Sequence, residues 1–595
     1  MSRMKTGENP LIYMAREMWK YSEGNRRMVV LYLALSTIAN LISLLEPVIF
    51  AMMLNTIQTQ GITASSTNAI FWLIAALVTI EVGFWVFHGP SRVIETNNAF
   101  YARARYRKRM LEGTMSLPMK WHAEHHSGET IDRIEKGASS IYNFSQNSWQ
   151  IIRIIVGFIT AYIVLALFDI NSAYIVGIIT LLSFLIVLRL DRTLIIMYRK
   201  IFRAENEISA KVFDIISNIA TVVILRLERL SSNMMYRKII APFSMHSSAS
   251  KTNETKWFLV SILGAVMFAA VLISYILGSY AAGSAVLIGT VYIFYGYVGK
   301  IRESFFQFAA SYSDLVRQKT AMQNANEISK EFGKKDMTRS FDLSMPWEKM
   351  KITGLSFHYH DAESNLHLNN VSLEIRNGEK IALVGESGGG KTTFLKLIRA
   401  LYKPKHVLIE INGRKFKDFE PLAGNMTLLP QDPELFDATV KDNITMLRRA
   451  SMKKIQKYAG IARFAKVAAR LPKKYNSHIK ERGVNLSTGE KQRLALARGL
   501  LAAEDSPIIL LDEPTSSVDT VNEMAIYTNI FREFKDRTIL SSVHRLHLLP
   551  MFDRIYVFRG GRLVASGSFG EIMKTKEFGR MWRKYRKARK QTIKN

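Results

Sequence analysis

Three stretches of the chain contain neither Lys nor Arg: between Arg27 and Arg92, between Arg153 and Arg189, and between Lys256 and Lys300. The 595 residues hold 81 Lys and Arg against 50 Asp and Glu, a formal charge of +31, so such gaps are not what an even spread leaves. Each gap holds two apolar runs around a short polar break. A bilayer-spanning helix takes about 20 apolar residues, fewer where it continues beyond the bilayer. The pattern predicts six transmembrane helices, near 29–56, 69–91, 150–168, 173–192, 257–278 and 284–303. Segments 92–153 and 189–256, and everything after Lys300, carry the cations, which places them and both termini on the cytoplasmic side. The breaks near 57–68, 169–172 and 279–283 then face outward. Stretches 93–150 and 190–255 have few Pro or Gly and recurrent apolar spacing, which predicts helices running on out of the membrane. The apolar run from residue 29 lacks a small-residue cleavage motif and reads as a helix, not a removed leader.

Composition agrees with a membrane protein. Hydrophobic residues make up 48% and charged residues 22%, which suits neither a disordered chain nor an ordinary soluble enzyme. The chain has no cysteine, which removes disulfides, thiolate metal sites, iron–sulfur clusters and cysteine nucleophiles.

After a linker over 331–347, short β-branched runs alternate with helical ones, the mark of an α/β domain over 348–573. Lys380-Ile-Ala-Leu-Val384 reads as a buried strand running into Gly385-Glu386-Ser387-Gly388-Gly389-Gly390-Lys391-Thr392 and then, from Thr393, a helical pattern. This is a GxxxxGK[ST] P-loop in the strand–loop–helix setting that the chemistry needs. Glycines let N–H groups turn inward around phosphates, Lys391 meets the β/γ-phosphates, and the Thr392 hydroxyl is a ligand for Mg²⁺. A second buried strand, Ile508 to Leu511, ends in Asp512-Glu513-Pro514, with Asp512 placed to hold Mg²⁺ and Glu513 to orient or deprotonate an attacking water. A third, Thr538-Ile-Leu540, leads through Ser541-Ser-Val to His544, near where a γ-phosphate would lie.

Upstream of the second strand stands Leu486-Ser487-Thr488-Gly489-Glu490-Lys491-Gln492-Arg493, which also satisfies a capping box, Ser487 with Glu490 three residues on. This run resembles the LSGGQ signature of ATP-binding cassette (ABC) transporters, and the order of motifs matches that family. The resemblance implies that Tyr359 stacks on adenine, that Gln431 senses Mg²⁺, that Ser516-Ser517-Val518-Asp519 is the D-loop, and that His544 is the switch histidine. It implies further that each ATP lies between the P-loop of one chain and the signature of another, with Ser487, Thr488, Gly489 and Glu490 acting in trans. One nucleotide domain and one six-helix set then make a half-transporter, expected to pair with a second copy of itself, a non-identical partner remaining open. Thr488 and Glu490 depart from the family's usual residues.

The membrane half resembles the exporter branch. Leu117-Pro118 with Ser127-Gly128-Glu129-Thr130 and Arg133 matches a first coupling helix, a second is expected near 212–222, and Glu481-Arg482-Gly483 matches the X-loop. The fold expected is thus a six-helix exporter-type membrane domain over 1–330 followed by an ABC-type P-loop ATPase, working by alternating access with ATP and Mg²⁺ in a cell membrane, that of a bacterial inner membrane. The cargo expected is hydrophobic, amphipathic or peptide-like; an importer of the same fold, or an ATPase that regulates a membrane partner, are the alternatives. No nucleic-acid partner is expected. Ionisable groups at membrane depth are costly and tend to face a cavity, which makes Glu46, Glu81 and His88 candidates for substrate contact, against capping of a bent helix at Glu46-Pro47. From Lys574 to Asn595 there are 10 basic residues and one acidic, a tail suited to anionic lipid or to simple solvation.

Overall fold

The computed structural model describes residues 8–125, 127–333, 341–343, 346–359, 367–432, 434–446, 448–479, 486–575, 578–579 and 582. The chain divides into two compact units, residues 1–116 with 126–333, and residues 117–125 with 334–595.

The first unit is helical. Helices α1 (Pro10–Tyr21), α2 (Arg26–Ser43) and α3 (Glu46–Gln60) precede the long α4 (Ala64–Met115). The first expected span is therefore split at Leu44 and Leu45. Pro47, which has no N–H and disfavours helical backbone before it, sits in the first turn of α3 and accounts for the break. A six-residue helix α5 (Met119–Glu124), grouped with the second unit, leads to α6 (Ser127–Gln146) and α7 (Ser148–Phe168). Asp169 caps α8 (Ile170–Ser217) by accepting from the Asn171 and Ser172 N–H groups, so the outer turn between α7 and α8 is tight. Short helices α9 (Ile219–Ile224) and α10 (Glu228–Ile240) precede α11 (Phe243–Ala281) and α12 (Ile288–Lys330).

Helix α4 has 52 residues and α8 has 48, which at 1.5 Å per residue makes each more than about 70 Å long, against a hydrocarbon core of about 30 Å. Five helical segments among the described residues are long and apolar enough to cross a membrane, Arg26–Gln60, Ala64–Met115, Ser148–Phe168, Ile170–Ser217 and Glu228–Ala281. The sixth expected span falls on the more polar α12. An apolar core that includes Leu44, Ala51, Leu165, Val176, Met267 and Phe294 joins the α2–α3 break and α3 to α7, α8, α11 and α12. Buried charges in this unit are paired: Lys256 Nζ lies 3.0 Å from Asp191 Oδ1, and Glu95 accepts from Ser148 Oγ at 2.6 Å, from the Trp149 N–H at 2.8 Å, and from Arg92.

In the second unit, β1 (Lys349–Phe357), β2 (Leu368–Arg376), β3 (Lys380–Gly385), α13 (Lys391–Ile398), β4 (His406–Ile411), β5 (Arg414–Phe416) and β6 (Met426–Leu429) come first. A helical insertion follows, β7 (Ala438–Thr439), α14 (Val440–Thr445), α15 (Met452–Ile461), α16 (Ala465–Arg470) and β8 (His478–Ile479). Then come α17 (Thr488–Ala502), β9 (Ile508–Asp512), α18 (Thr520–Glu533), β10 (Thr538–Ser542), β11 (Arg554–Arg559), β12 (Arg562–Gly567) and α19 (Phe569–Ile572). The central sheet has the order β12-β11-β3-β10-β9-β6, parallel except for β12. Its strands β9 and β10 are buried at every residue, as continuous apolar runs covered on both faces must be. A separate antiparallel sheet has the order β2-β1-β4-β5. Because β3, β9 and β10 are parallel neighbours, Gly385, Asp512 and Ser542 finish at one edge, where ligands of such sheets bind. Trp582 packs against Phe569 and Phe578 within this unit; Tyr585 and most of the basic tail lie outside the described residues, as does the expected X-loop, Glu481 to Gly483.

Candidate ATP site

The P-loop geometry follows from glycine. Gly385 has φ +153°, and a Cβ there would lie 2.1 Å from the Phe558 carbonyl oxygen; Gly390, at φ +103°, caps α13. Lys391, the first residue of α13, is buried, and its Nζ donates to the carbonyls of Gly385 at 3.0 Å and Glu386 at 3.1 Å. Burial lowers its pKa, while the nearby Glu513 and Asp512 carboxylates act in the opposite direction.

Asp512 is 2% exposed and its Oδ1 accepts from both Thr392 Oγ1 at 2.9 Å and Ser542 Oγ at 2.8 Å, joining the ends of three neighbouring elements. The same Ser542 hydroxyl accepts the Glu513 N–H at 2.9 Å. Glu513 has φ +47°, a left-handed conformation that costs a residue with a Cβ roughly 1–2 kcal/mol and directs its carboxylate out of the strand line. There Oε2 accepts from Gln431 Nε2 at 2.8 Å, and Oε1 lies 2.6 Å from His544 Nε2. Three segments far apart in sequence thus converge on one carboxylate. They line a cleft of about 590 Å³ together with Ser387, Gly388, Gly389, Gly390, Lys391, Thr392 and Thr393.

The oxygens available for a cation are the Thr392 hydroxyl, the Asp512 carboxylate and the Gln431 carboxamide oxygen. Such a hard, sparsely acidic set fits Mg²⁺, which takes one or two protein carboxylates and completes its shell with phosphate oxygens and water. Among the described residues no cluster of three His, Asp or Glu forms a self-sufficient metal site.

Not every expected site residue lines this cleft. Tyr359 stands against the P-loop helix, donating to Thr393 Oγ1 at 3.3 Å, with the rings of Phe357, His367 and Tyr402 edge-on to it. Ser487, Thr488, Gly489 and Glu490 form the first turn of α17 outside the cleft. Ser487 caps that helix, and Glu490 returns to the Ser487 N–H at 3.0 Å while bonding Arg470 at 2.7 Å. Burial pushes the Glu490 pKa up, but these partners outweigh it and hold the carboxyl below the ordinary range. Asp519 caps α18; bonds from the Asn522 side chain and N–H lower its pKa.

The membrane candidates do not gather into one site. Glu81 accepts from Trp85 Nε1 at 2.9 Å, and Trp85 packs edge-on against His88, whereas no hydrogen bond or ion pair among the described residues joins Glu46 to either. A cavity of about 770 Å³ between α11 and α12, lined by Gly264, Phe268, Tyr295, Lys300, Arg302 and Phe306, contains none of the three. Sequence reasoning also passed over Ser542, although a hydroxyl ending a buried strand beside an Asp-Glu strand end is a usable signal. In the sequence Gln492 stands only as a letter of the signature run.

Residues 29–303 match the family profile for the ABC transporter transmembrane region, and residues 368–516 match the ABC transporter family profile. The chain is 28% identical over 490 residues to the heterocyst differentiation ATP-binding protein HepA of Nostoc sp., covering 80% of this chain and 78% of that protein. It is 29% identical over 476 residues to ATP-binding cassette sub-family B member 6 of Rattus norvegicus, covering 77% of this chain and 55% of the longer relative. In fold it is similar to a bacterial Atm1-family ABC exporter solved with ATP bound, at a TM-score of 0.82 and 22% identity, covering 94% of this chain and 99% of that one. With a transmembrane and an ATP-binding region in one chain, this protein belongs to the ABC transporters: it is a membrane-embedded half-transporter with the exporter-type architecture, an ATP hydrolase coupled to transport.

Proposed function

We propose that two copies of this chain form a transporter that exports a hydrophobic, amphipathic or peptide-like substrate from the cytoplasm across a bacterial plasma membrane. The observation that carries this is the Glu513 carboxylate, held between Gln431 and His544 beside the Thr392–Asp512 pair at the end of the P-loop sheet. A carboxylate so oriented takes the proton of an attacking water, a contribution of typically 10²–10⁴-fold. Lys391 and the N–H groups at the start of α13 bind the β- and γ-phosphates. Thr392, Asp512 and Gln431 hold Mg²⁺, which when bound neutralises phosphate charge.

Ser487 and Gly489 lie outside their own chain's cleft, which suits contact with a nucleotide held by the second copy. ATP then closes the pair, the coupling helices expected around Leu117–Arg133 and near 212–222 carry the closure to the long helices, and hydrolysis resets it. The cation-rich segments and both termini are cytoplasmic. Glu46, Glu81, His88 and the cavity between α11 and α12 are the proposed substrate contacts. The test is reconstitution of the purified chain alone in lipid vesicles, with ATP supplied to outward-facing nucleotide domains. ATP-dependent accumulation of a fluorescent amphipathic dye inside, by particles of two chains, is expected. ATP-dependent depletion would indicate import, and hydrolysis that moves no solute would indicate a regulator.

A further inference from the structure

Gln492 lies in the second turn of α17 and is 4% exposed. Its Nε2 donates to the Glu513 carbonyl at 3.2 Å and to Ser516 Oγ at 2.9 Å, while its Oε1 accepts the Ser517 N–H at 2.8 Å. One carboxamide therefore satisfies three partners in the five residues that follow β9. The neighbouring Gly489 reinforces the attachment: a Cβ there would lie 2.7 Å from the Ser517 carbonyl oxygen, so the backbones of the signature turn and the D-loop are in close approach. On the opposite side Arg545 Nη1 donates to the Val518 carbonyl at 2.7 Å and Nη2 to that of Ser516 at 3.3 Å.

We propose that Gln492 is a positioning residue of hydrolysis: from the signature helix it clamps the left-handed turn at Glu513 that aims the carboxylate at the water. Glu513 at φ +47° is not a conformation its side chain favours, so its two peptide groups have to be held from outside. The N–H is fixed by Ser542 from β10, and the carbonyl by Gln492 from α17. Released at the carbonyl, the turn relaxes toward the right-handed region, and the carboxylate swings away from Gln431 and His544. The same bonds make the direction of Glu513 depend on where α17 stands. A nucleotide that draws in the signature turn thereby reaches the glutamate of the same chain through a single side chain.

The inference rests on Glu513 acting as proposed above, and the test separates the two. In full-length protein in lipid nanodiscs, Gln492→Glu keeps the shape but cannot donate to the Glu513 carbonyl, and Gln492→Met keeps the volume without polar atoms. Both are expected to lower kcat tenfold or more with KM for ATP and binding of a fluorescent ATP analogue within threefold of the unaltered protein. A mere packing role changes KM and melting temperature instead. Ser516→Ala, which removes one exposed hydroxyl, is expected to lower kcat about threefold and keeps the test open should both Gln492 variants misfold. Unaltered kcat in any folded Gln492 variant, or in Ser516→Ala if neither folds, overturns the clamp. Glu513→Gln measured alongside assigns the failure: if it too turns over normally, the Glu513 assignment falls first; if it is inactive, the clamp alone falls.

Discussion

His544 Nε2 lies 2.6 Å from Glu513 Oε1, although 30 residues of chain, a helix and a strand separate them. Glu513 is 12% exposed at its side chain and His544 is 43% exposed, so the histidine forms the outer wall of the contact and the glutamate the inner one. His544→Ala therefore leaves the P-loop intact and removes one of two groups that orient the carboxylate. A fall in kcat of tenfold or more, with nucleotide affinity retained, is the expected result in a steady-state ATPase assay.

Lys391 donates to two loop carbonyls and carries the charge that the β- and γ-phosphates need. Lys391→Ala should weaken ATP binding by more than tenfold, read by equilibrium titration of a fluorescent analogue. The burial that lowers its pKa is relieved in the bound state by the phosphate charge, so affinity should decline at strongly alkaline pH as the ammonium is lost.

A methyl group at Gly489 would be placed 2.7 Å from the Ser517 carbonyl oxygen, a backbone atom with little freedom to move. Gly489→Ala should cost about 1–3 kcal/mol by overpacking. It should reduce turnover with less effect on binding, because the P-loop is untouched. Thermal unfolding and ATPase assays on the same preparation check both statements.

Glu490 stands where the family has glutamine, and the Ser487 and Arg470 bonds hold its pKa down. A depressed folded-state pKa gives stability that is complete above the ordinary carboxylate range and is lost as pH falls through the lowered value. Arg470 is 70% exposed, so water screens the pair and the contribution stays below about 1 kcal/mol. Glu490→Gln keeps the capping geometry and should differ from the unaltered protein in melting temperature at neutral pH but converge with it in acid.

The P-loop was legible in the sequence because its chemistry is local: strand, glycines, Lys391 and Thr392 are consecutive. The long helices were legible because cations are missing from the spans and return beyond them. Ser542, Gln492 and Arg545 were not, since their roles arise from three-dimensional neighbours, β9 against β10 and α17 against the D-loop, that no spacing rule encodes. The split between α2 and α3 was half legible through Pro47, while the cavity between α11 and α12 is lined from two helices, by Gly264 and Phe268 on one and Tyr295 and Arg302 on the other, and had no linear signature.

The central claim is that Glu513 performs the proton transfer of ATP hydrolysis, and Glu513→Gln tests it most directly. The carboxamide preserves shape and reach while removing basicity. Measured in lipid nanodiscs, the variant is predicted to bind ATP as tightly as the unaltered protein, to lose steady-state hydrolysis by 100-fold or more, and to accumulate as a nucleotide-closed dimer. Hydrolysis at the normal rate with normal ATP affinity would contradict the account.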